Sequence, residues 1–207
     1  MIERFLHEKL KEKLPGATAQ YKMAPIGRYQ PDFIQEDARK AGVSIVFLPG
    51  KGMGKLIYIQ RSINQKDKHS GQIAYPGGKF EELVDKSMLD CALRETKEEI
   101  GLDLNEKNLL GSLTELYIPV SNFLVYPFVF FFDGRIDNLI LDPSEVEKLI
   151  EIPVEHLIDR SNMRRMDIKM HSGLIINDTP CYVYNDQYIW GATAMITSEL
   201  IEVIDLF

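Results

Sequence analysis

The chain has 207 residues, of which 45% are apolar, and a formal net charge of −7 at pH 7. This length suits one domain with a sizeable core, or one domain with a terminal extension. The acidic balance excludes a typical duplex nucleic-acid binder, because such proteins usually carry a basic surplus. A small anionic substrate stays compatible with it, since a local basic patch or a metal ion can outweigh the overall charge.

The beginning of the chain and its cysteines exclude further classes. Residues 1–13 (MIERFLHEKLKEK) are charged throughout and lack the apolar stretch of a secretory signal. The longest apolar runs, such as 125–132, are too short to cross a bilayer. Cys91 and Cys181 have no C-x-x-C partner, so we expect buried, reduced thiols rather than a zinc or redox site. We therefore expect a cytoplasmic protein with no membrane contact and no nucleic-acid partner.

The pattern of apolar residues predicts strands and helices along the whole chain. A short amphipathic helix from residue 2 that ends near Pro15 and Gly16, and an irregular connection at 15–35, form a predicted N-terminal helical extension (1–35), followed by the main domain (36–207). Strands are predicted at 41–48, 56–60, 72–78, 108–118, 123–132, 164–170 and 180–184, with a bulge or a sheet edge at Pro127. Further helices are predicted at 87–100, within 143–152, at 153–160 and from 189 to about 206, with Trp190 in the core. This order predicts an α/β fold with a mixed sheet covered on both faces.

The helix predicted at 87–100 has clear ends and a core-facing stripe. Asp85 or Ser87 can cap its start, and Gly101 ends it. With 3.6 residues per turn, one stripe should pack on the core and consists of Leu89, Leu93, Thr96 and Ile100.

A second face of this helix gathers negative charge. Glu95, Glu98 and Glu99 stand at i, i+3 and i+4, so their carboxylates share one face. Arg94, one turn before Glu98, can brace that carboxylate with a charge-assisted hydrogen bond. Like charges this close repel unless a cation lies among them, and Mg²⁺ and Mn²⁺ prefer oxygen ligands. A solvated acidic face is the alternative interpretation of the same pattern.

The order of residues here resembles a known family. Residues 94–102 (RETKEEIGL) match the core of the Nudix box, R-E-U-x-E-E-x-G-U, in which U is bulky and apolar, although Thr96 takes the first U position. The interval between the motif glycine, Gly78, and the arginine is two residues longer than usual in the family. Lys86 stands where the family usually has Glu, while Asp85 lies at an offset where a coenzyme A-cleaving subgroup has an acidic residue.

A segment before the box extends the resemblance. An Arg-Ser pair at 61–62, a basic loop and residues 71–78 (GQIAYPGG) are similar to the signature of Nudix coenzyme A pyrophosphatases, which ends in Phe-Pro-Gly-Gly. Tyr75 replaces the Phe of that signature. The loop is one residue longer, so both Lys66 and Lys68 are candidates for its basic residue. An ordinary solvated loop is the alternative interpretation of the basic stretch.

The resemblance implies a fold, a cofactor and residue roles. It implies the Nudix α/β/α sandwich and the hydrolysis of a nucleoside diphosphate linked to another group, with Mg²⁺ or Mn²⁺ as cofactor. The implied metal ligands are Glu95, Glu98, Glu99 and the backbone carbonyl of Gly77. The implied catalytic residues are Glu98 as ligand or base, Arg94 as the residue that orients the glutamates, and Glu145 as a further carboxylate, for which a solvated position is the alternative. The implied substrate-binding residues are Arg61 and Lys66 or Lys68 for phosphates, with Gly78 allowing close approach of the backbone.

The leading hypothesis is the hydrolysis of coenzyme A to 3′,5′-ADP and 4′-phosphopantetheine. The runner-up is a Nudix hydrolase acting on ADP-ribose or a similar small nucleotide, and the third hypothesis is a Nudix-like binding module without turnover. Such modules usually lose glutamates of the box, and all three are present here. The oligomeric state stays open, with a homodimer as one option.

Overall fold

The computed structural model of the protein describes residues 2–64, 70–170 and 173–205. Within these residues eight strands form a mixed sheet and three more form a second, antiparallel sheet. The strands of the mixed sheet are β1 (Arg39–Leu48), β2 (Lys55–Arg61), β3 (Ile73–Ala74), β4 (Gly77–Lys79), β5 (Leu109–Ser112), β6 (Leu116–Ile118), β7 (Phe123–Phe131) and β8 (Val146–Pro153). The strands of the second sheet are β9 (Met163–Lys169), β10 (Ile175–Tyr184) and β11 (Gln187–Trp190).

Helices cover both faces of the mixed sheet. They are α1 (Ile2–Lys9), α2 (Ala17–Gln20), α3 (Met88–Ile100), α4 (Val154–Ile158) and α5 (Gly191–Ile204). Side chains alternate across a strand, so neighbours on β2 enter different cores. Ile57 and Ile59 pack in the core under α3, whereas Leu56 and Tyr58 pack in the core under α1 and α5. The predicted α/β/α sandwich is thereby confirmed.

Strand β1 changes its antiparallel partner along its length. Its first half pairs with β4, with Val43 opposite Gly77, and its end pairs with β2, with Phe47 opposite Leu56. On its other side β1 runs parallel to β7 along most of its length. The change of partner places the Gly-Gly turn (Gly77 and Gly78, where the chain bends at Pro76 and enters β4) beside the middle of the sheet, in contact with α3.

A buried carboxylate on α5 connects the N-terminal segment to the sheet. Glu199 is fully buried and accepts hydrogen bonds from the backbone N–H of Gly16 (3.1 Å) and from the side-chain amide of Gln20 (2.8 Å). It also accepts hydrogen bonds from the backbone and the hydroxyl of Thr114, which lies between β5 and β6. Buried carboxylates need such partners, so this group fixes three segments to one another.

The helix predicted within 143–152 is wrong. This stretch is β8, which pairs antiparallel with β2, with Ile150 opposite Tyr58. Glu147 and Lys148 are exposed. The buried residues are Val146, Ile150 and Ile152, and the last two are separated by two positions, as on one face of a strand. The short apolar pattern is compatible with a helix or a strand, and pairing with β2 stabilises the strand.

Other boundaries also moved. The predicted strand at 72–78 is divided into β3 and β4, because the first pairs with β2 and the second with β1. The irregular connection at 15–35 contains α2 and a 3₁₀ helix, Tyr21–Met23.

Trp190 is half-buried at the end of β11, and α5 begins one residue later. The predicted helix end near residue 206 lies outside the described residues. Pro127 lies in an interior strand rather than at an edge, between the residues of β7 that pair with β6 and those that pair with β5.

Candidate active site

Helix α3 begins and ends as its sequence predicts. Ser87 caps the start, with its hydroxyl accepting a 3.1 Å hydrogen bond from the backbone N–H of Asp90. Gly101 ends the helix in the left-handed conformation (φ 69°), which a side chain rarely adopts. A Cβ on Gly101 would also lie 3.0 Å from the backbone of Ile140.

A glycine in β1 brings α3 unusually close to the sheet. A Cβ on Gly42 would lie 2.5 Å from the carbonyl oxygen of Met88 and 2.9 Å from the backbone nitrogen of Ala92. The hydroxyl of Thr96 lies 2.7 Å from the hydroxyl of Ser44 and 2.7 Å from the carbonyl oxygen of Ala92. Thr96 at an apolar position of the box is therefore compensated by a buried partner on the strand.

Glu99 is the most deeply buried of the three glutamates. Its side chain is 1% exposed, and Oε2 accepts a 2.8 Å hydrogen bond from the backbone N–H of Gly77. Oε1 is buried with no hydrogen-bond partner, and Nη1 of Arg61 lies 3.8 Å from it. Burial raises the pKa of Glu99 to about 8, an effect that the Gly77 N–H and Arg61 partly offset and that the charges of Glu95 and Glu145 reinforce.

Arg94 holds three carboxylates at once. Its Nε and Nη2 donate to the two oxygens of Asp85 at 2.8 and 2.9 Å, and this fork-to-fork pair is almost completely buried on the Asp85 side. Its Nη1 lies 2.9 Å from Oε1 of Glu95 and 2.8 Å from Oε2 of Glu98. The hydrogen bonds from Arg94 lower the pKa of Asp85, so this carboxylate stays ionised. The predicted bracing of Glu98 by Arg94 is present, and Asp85 anchors the arginine.

Glu95 lies against the Gly-Gly turn. A Cβ on Gly78 would lie 2.4 Å from both the carboxylate carbon and Oε2 of Glu95, so this carboxylate occupies the space that a side chain would fill. Burial raises the pKa of Glu95, Arg94 lowers it, and the charges of Glu98 and Glu145 raise it further. A glycine at position 78 therefore leaves the space that the carboxylate of Glu95 occupies.

The loop before β8 is connected to both α3 and β2. The backbone N–H of Asp142 donates to the carbonyl oxygen of Glu99 at 2.9 Å, and the N–H of Glu145 donates to the carbonyl oxygen of Asp142 at 3.1 Å. The N–H of Ser62 then donates to the carbonyl oxygen of Glu145 at 2.8 Å. These bonds hold Glu145 close enough for its charge to raise the pKa of both Glu95 and Glu99.

A cavity of about 270 Å³ lies beside Glu145 and is lined by Arg61, Ser62, Asn64, Ser144 and Glu145. The side chain of Arg61 is 28% exposed and lies between this cavity and Glu99. The other two basic candidates, Lys66 and Lys68, lie outside the described residues. The cavity therefore has one described cation and one described carboxylate in its wall.

A model of the NUDIX domain matches residues 38–171. The chain belongs to the Nudix family. Its relatives include the human protein named mitochondrial coenzyme A diphosphatase NUDT8, 28% identical over 193 residues that cover 92% of this chain and 75% of the relative. They also include the uncharacterized Nudix hydrolase NudL of Yersinia enterocolitica, 33% identical over 153 residues that cover 72% of this chain and 74% of the relative.

Solved Nudix structures show the same fold. A MutT/nudix family protein from Enterococcus faecalis has a TM-score of 0.55 at 17% identity and covers 98% of this chain and 74% of its own. RenU, a Nudix hydrolase from M. smegmatis, has a TM-score of 0.51 at 13% identity and covers 82% of this chain and 88% of its own. The protein is therefore a Nudix enzyme, a hydrolase that acts on diphosphate bonds. No helix in the described part of the chain is long and apolar enough to cross a membrane.

Nudix hydrolases use divalent metal ions, and the residues of this site fit one. Among residues 2–64, 70–170 and 173–205, no three His, Cys, Asp or Glu side chains already converge as a finished metal site. However, Glu99 presents a buried oxygen without a hydrogen-bond partner, and Glu95, Glu99 and Glu145 are close enough to disfavour one another's charge. An oxygen-preferring divalent cation would relieve both costs. Glu98, with a side chain 59% exposed and held by Arg94, lies at the solvent side of this group.

Sequence reasoning missed several residues that shape this Nudix site. Asp85 was noted for its charge, but its pairing with Arg94 depends on a turn that periodicity does not describe. Asp142 accepts hydrogen bonds from Ser144 with its side chain and donates its backbone N–H to Glu99, and neither contact was apparent from the sequence. Ser62 belongs to the Arg-Ser pair of the signature, but its hydrogen bonds to the loop before β8 were not predicted. Gly42 was detectable, since a glycine inside a strand often marks a close backbone approach.

Proposed function

We propose that this Nudix hydrolase cleaves the diphosphate bond of coenzyme A or its derivatives, giving 3′,5′-ADP and 4′-phosphopantetheine. The observation that carries the proposal is the segment 61–78, which resembles the coenzyme A pyrophosphatase signature and supplies both Arg61 beside the cavity and the Gly-Gly turn beside Glu95. Similarity to the human coenzyme A diphosphatase over 92% of the chain supports the same substrate class.

The proposed metal site uses oxygens that surround the Gly-Gly turn. Glu95 and Glu99 are the principal ligands, with Glu98 as ligand or base and the carbonyl of Gly77 as a backbone ligand. When bound, Mg²⁺ or Mn²⁺ neutralises diphosphate oxygens and lowers the pKa of the attacking water. The unpartnered oxygen of Glu99 supports this assignment, because a buried carboxylate oxygen without a donor is costly.

Two further residues prepare the site for reaction. Arg94, anchored by Asp85, orients Glu95 and Glu98 through its Nη1. Glu145 lines the cavity, where a carboxylate can act as a ligand or take a proton from water. The reaction needs alignment and charge neutralisation more than covalent chemistry, so fixed carboxylates are suited to it.

The proposed phosphate contacts are basic residues of the segment that resembles the signature. Arg61 offers a planar guanidinium that matches phosphate oxygens. Lys66 and Lys68 follow a few residues later and are proposed to attract substrate phosphates, including the 3′-phosphate that distinguishes coenzyme A from ADP-ribose.

Product analysis tests the substrate class. The purified protein is incubated with Mg²⁺ or Mn²⁺ and equal concentrations of coenzyme A and ADP-ribose, and the products are identified by mass. We expect 3′,5′-ADP and 4′-phosphopantetheine to form faster than AMP and ribose 5-phosphate. A preference for ADP-ribose would replace the proposed substrate. Absence of turnover of both with either metal would favour a binding module instead.

A further inference from the structure

The site contains two arginines that are held in different ways. Arg94 makes hydrogen bonds of 2.8 and 2.9 Å to Asp85, the length of a tight charge-assisted pair. Arg61 lies 3.8 Å from Glu99, beyond hydrogen-bond length, and the Glu99 oxygen that it approaches has no hydrogen-bond partner. Arg94 is therefore joined to Asp85 by short hydrogen bonds, whereas the 3.8 Å contact between Arg61 and Glu99 is an ion pair without a hydrogen bond.

When Glu99 is ionised, its carboxylate needs a positive charge beside it. With a side chain only 1% exposed, an ionised Glu99 has lost nearly all contact with water. Such a group is tolerated only when a positive charge or hydrogen-bond donors compensate for the lost hydration. Gly77 satisfies Oε2, and Arg61 supplies the charge that faces Oε1.

The side chain of Arg61 also lines the cavity next to Glu145. This side chain is 28% exposed, and Glu145 is the described acidic residue of the 270 Å³ cavity. An anion entering that cavity beside Glu145 would need a positive group in the wall. The same guanidinium can thus serve either the buried carboxylate or an anion in the cavity.

We propose that Arg61 is the resident counter-ion of Glu99, that a divalent cation displaces it from Oε1, and that metal loading thereby releases Arg61 to bind a phosphate group in the adjoining cavity. Two cations at one oxygen repel each other, so the metal and Arg61 compete for Glu99. Binding is then ordered, with the metal before the phosphate. The inference rests on the proposed function for its metal ion and its diphosphate ligand.

The decisive test measures metal affinity without any nucleotide. Mn²⁺ is titrated by calorimetry into wild type and Arg61→Gln in the same buffer and at the same ionic strength. We expect Arg61→Gln to bind Mn²⁺ about tenfold more tightly, because the competing charge is gone. Arg61→Met removes the same charge and serves if the first variant is poorly folded. Arg165→Gln, which removes an arginine paired with Asp178 in the second sheet, should bind Mn²⁺ as wild type does.

The second measurement is the affinity for ADP, a diphosphate that serves as a probe whatever the substrate is. With Mn²⁺ saturating, ADP should bind Arg61→Gln about tenfold more weakly than wild type. Mn²⁺ affinity that is unchanged or weaker in Arg61→Gln would overturn the competition, and unchanged ADP affinity would overturn the release. A wild-type protein that fails to bind Mn²⁺ would overturn the metal site of the proposed function and this inference with it. Normal Mn²⁺ binding and coenzyme A cleavage, with no effect of Arg61→Gln on metal affinity, would overturn this inference alone.

Discussion

The backbone N–H of Gly77 donates a 2.8 Å hydrogen bond to Oε2 of Glu99. This bond ties the Gly-Gly turn after β3 to the last turn of α3, and it leaves Oε1 of the same carboxylate buried without a hydrogen-bond partner. The two halves of the Nudix motif thus meet at one carboxylate, of which one oxygen is hydrogen-bonded and the other is the proposed metal ligand.

Glu99 determines how the stability of the metal-free protein depends on pH. Its pKa is raised from 4.5 to about 8, so the folded state holds this proton more tightly than the unfolded state does. The resulting stability is complete below the unfolded pKa and is lost as the pH rises through about 8. Between about pH 5 and pH 9, wild type should lose on the order of 3 kcal/mol more than Glu99→Gln. Urea unfolding in EDTA measures this difference, and an equal loss in both proteins would contradict it.

Gly78→Ala should impair activity more than stability. The added Cβ would lie 2.4 Å from the carboxylate of Glu95, which is the end of a flexible side chain and can move away without unfolding the protein. Because Glu95 is a proposed metal ligand, moving its carboxylate should lower kcat/KM by about a hundredfold. Gly50→Ala is the matched control, since its Cβ would meet neighbours at 3.4 Å and beyond. Equal kcat/KM for both variants at saturating Mg²⁺ would contradict the placement of Glu95.

Asp85→Ala should destabilise the protein, because Asp85 is buried and anchors Arg94 through two hydrogen bonds. Removing one partner of a buried ion pair leaves the other charge uncompensated, and here we expect a loss of about 2 kcal/mol in the free energy of unfolding. Asp103→Ala breaks the exposed pair with Lys97 and should cost less than about 0.5 kcal/mol. Chemical denaturation compares the two, and similar losses would show that Asp85 is no anchor.

Tyr75 differs from the signature Phe and should tolerate the change to it. Its hydroxyl lies 2.9 Å from that of Tyr58 and 2.7 Å from that of Thr197, in a fully buried triangle. Tyr75→Phe leaves Tyr58 and Thr197 paired at 3.1 Å, so it should cost about 1 kcal/mol or less. Thr197→Val deprives both tyrosines of a partner and should cost about 2 kcal/mol. Thermal unfolding ranks the variants, and the reverse order would be inconsistent with the triangle.

Local signals made α3 predictable from sequence. Ser87 and Gly101 mark its ends by side-chain capping and by a left-handed backbone, both of which depend on residue type alone. The period of the helix also showed that Glu95, Glu98 and Glu99 share a side. It could not show their depth, and the structure buries Glu99 while leaving Glu98 exposed.

The sequence pattern could not predict contacts between segments that are distant in the chain. The apolar residues of 146–153 suit a short helix or a strand, and the pairing of Ile150 with Tyr58 decided the outcome. Likewise the loop that positions Glu145 is held by backbone hydrogen bonds to Glu99 and Ser62, which residue type does not predict. Residue chemistry therefore identified the candidate carboxylates, whereas their arrangement came from tertiary structure.

The most direct test of the account compares wild type and Glu98→Gln with coenzyme A and Mg²⁺ and follows the products by mass. We predict equal amounts of 3′,5′-ADP and 4′-phosphopantetheine from wild type, and a rate about a thousandfold lower for Glu98→Gln at an unchanged melting temperature. Intact coenzyme A after incubation with wild type, or a nearly unchanged rate in Glu98→Gln, would contradict the account.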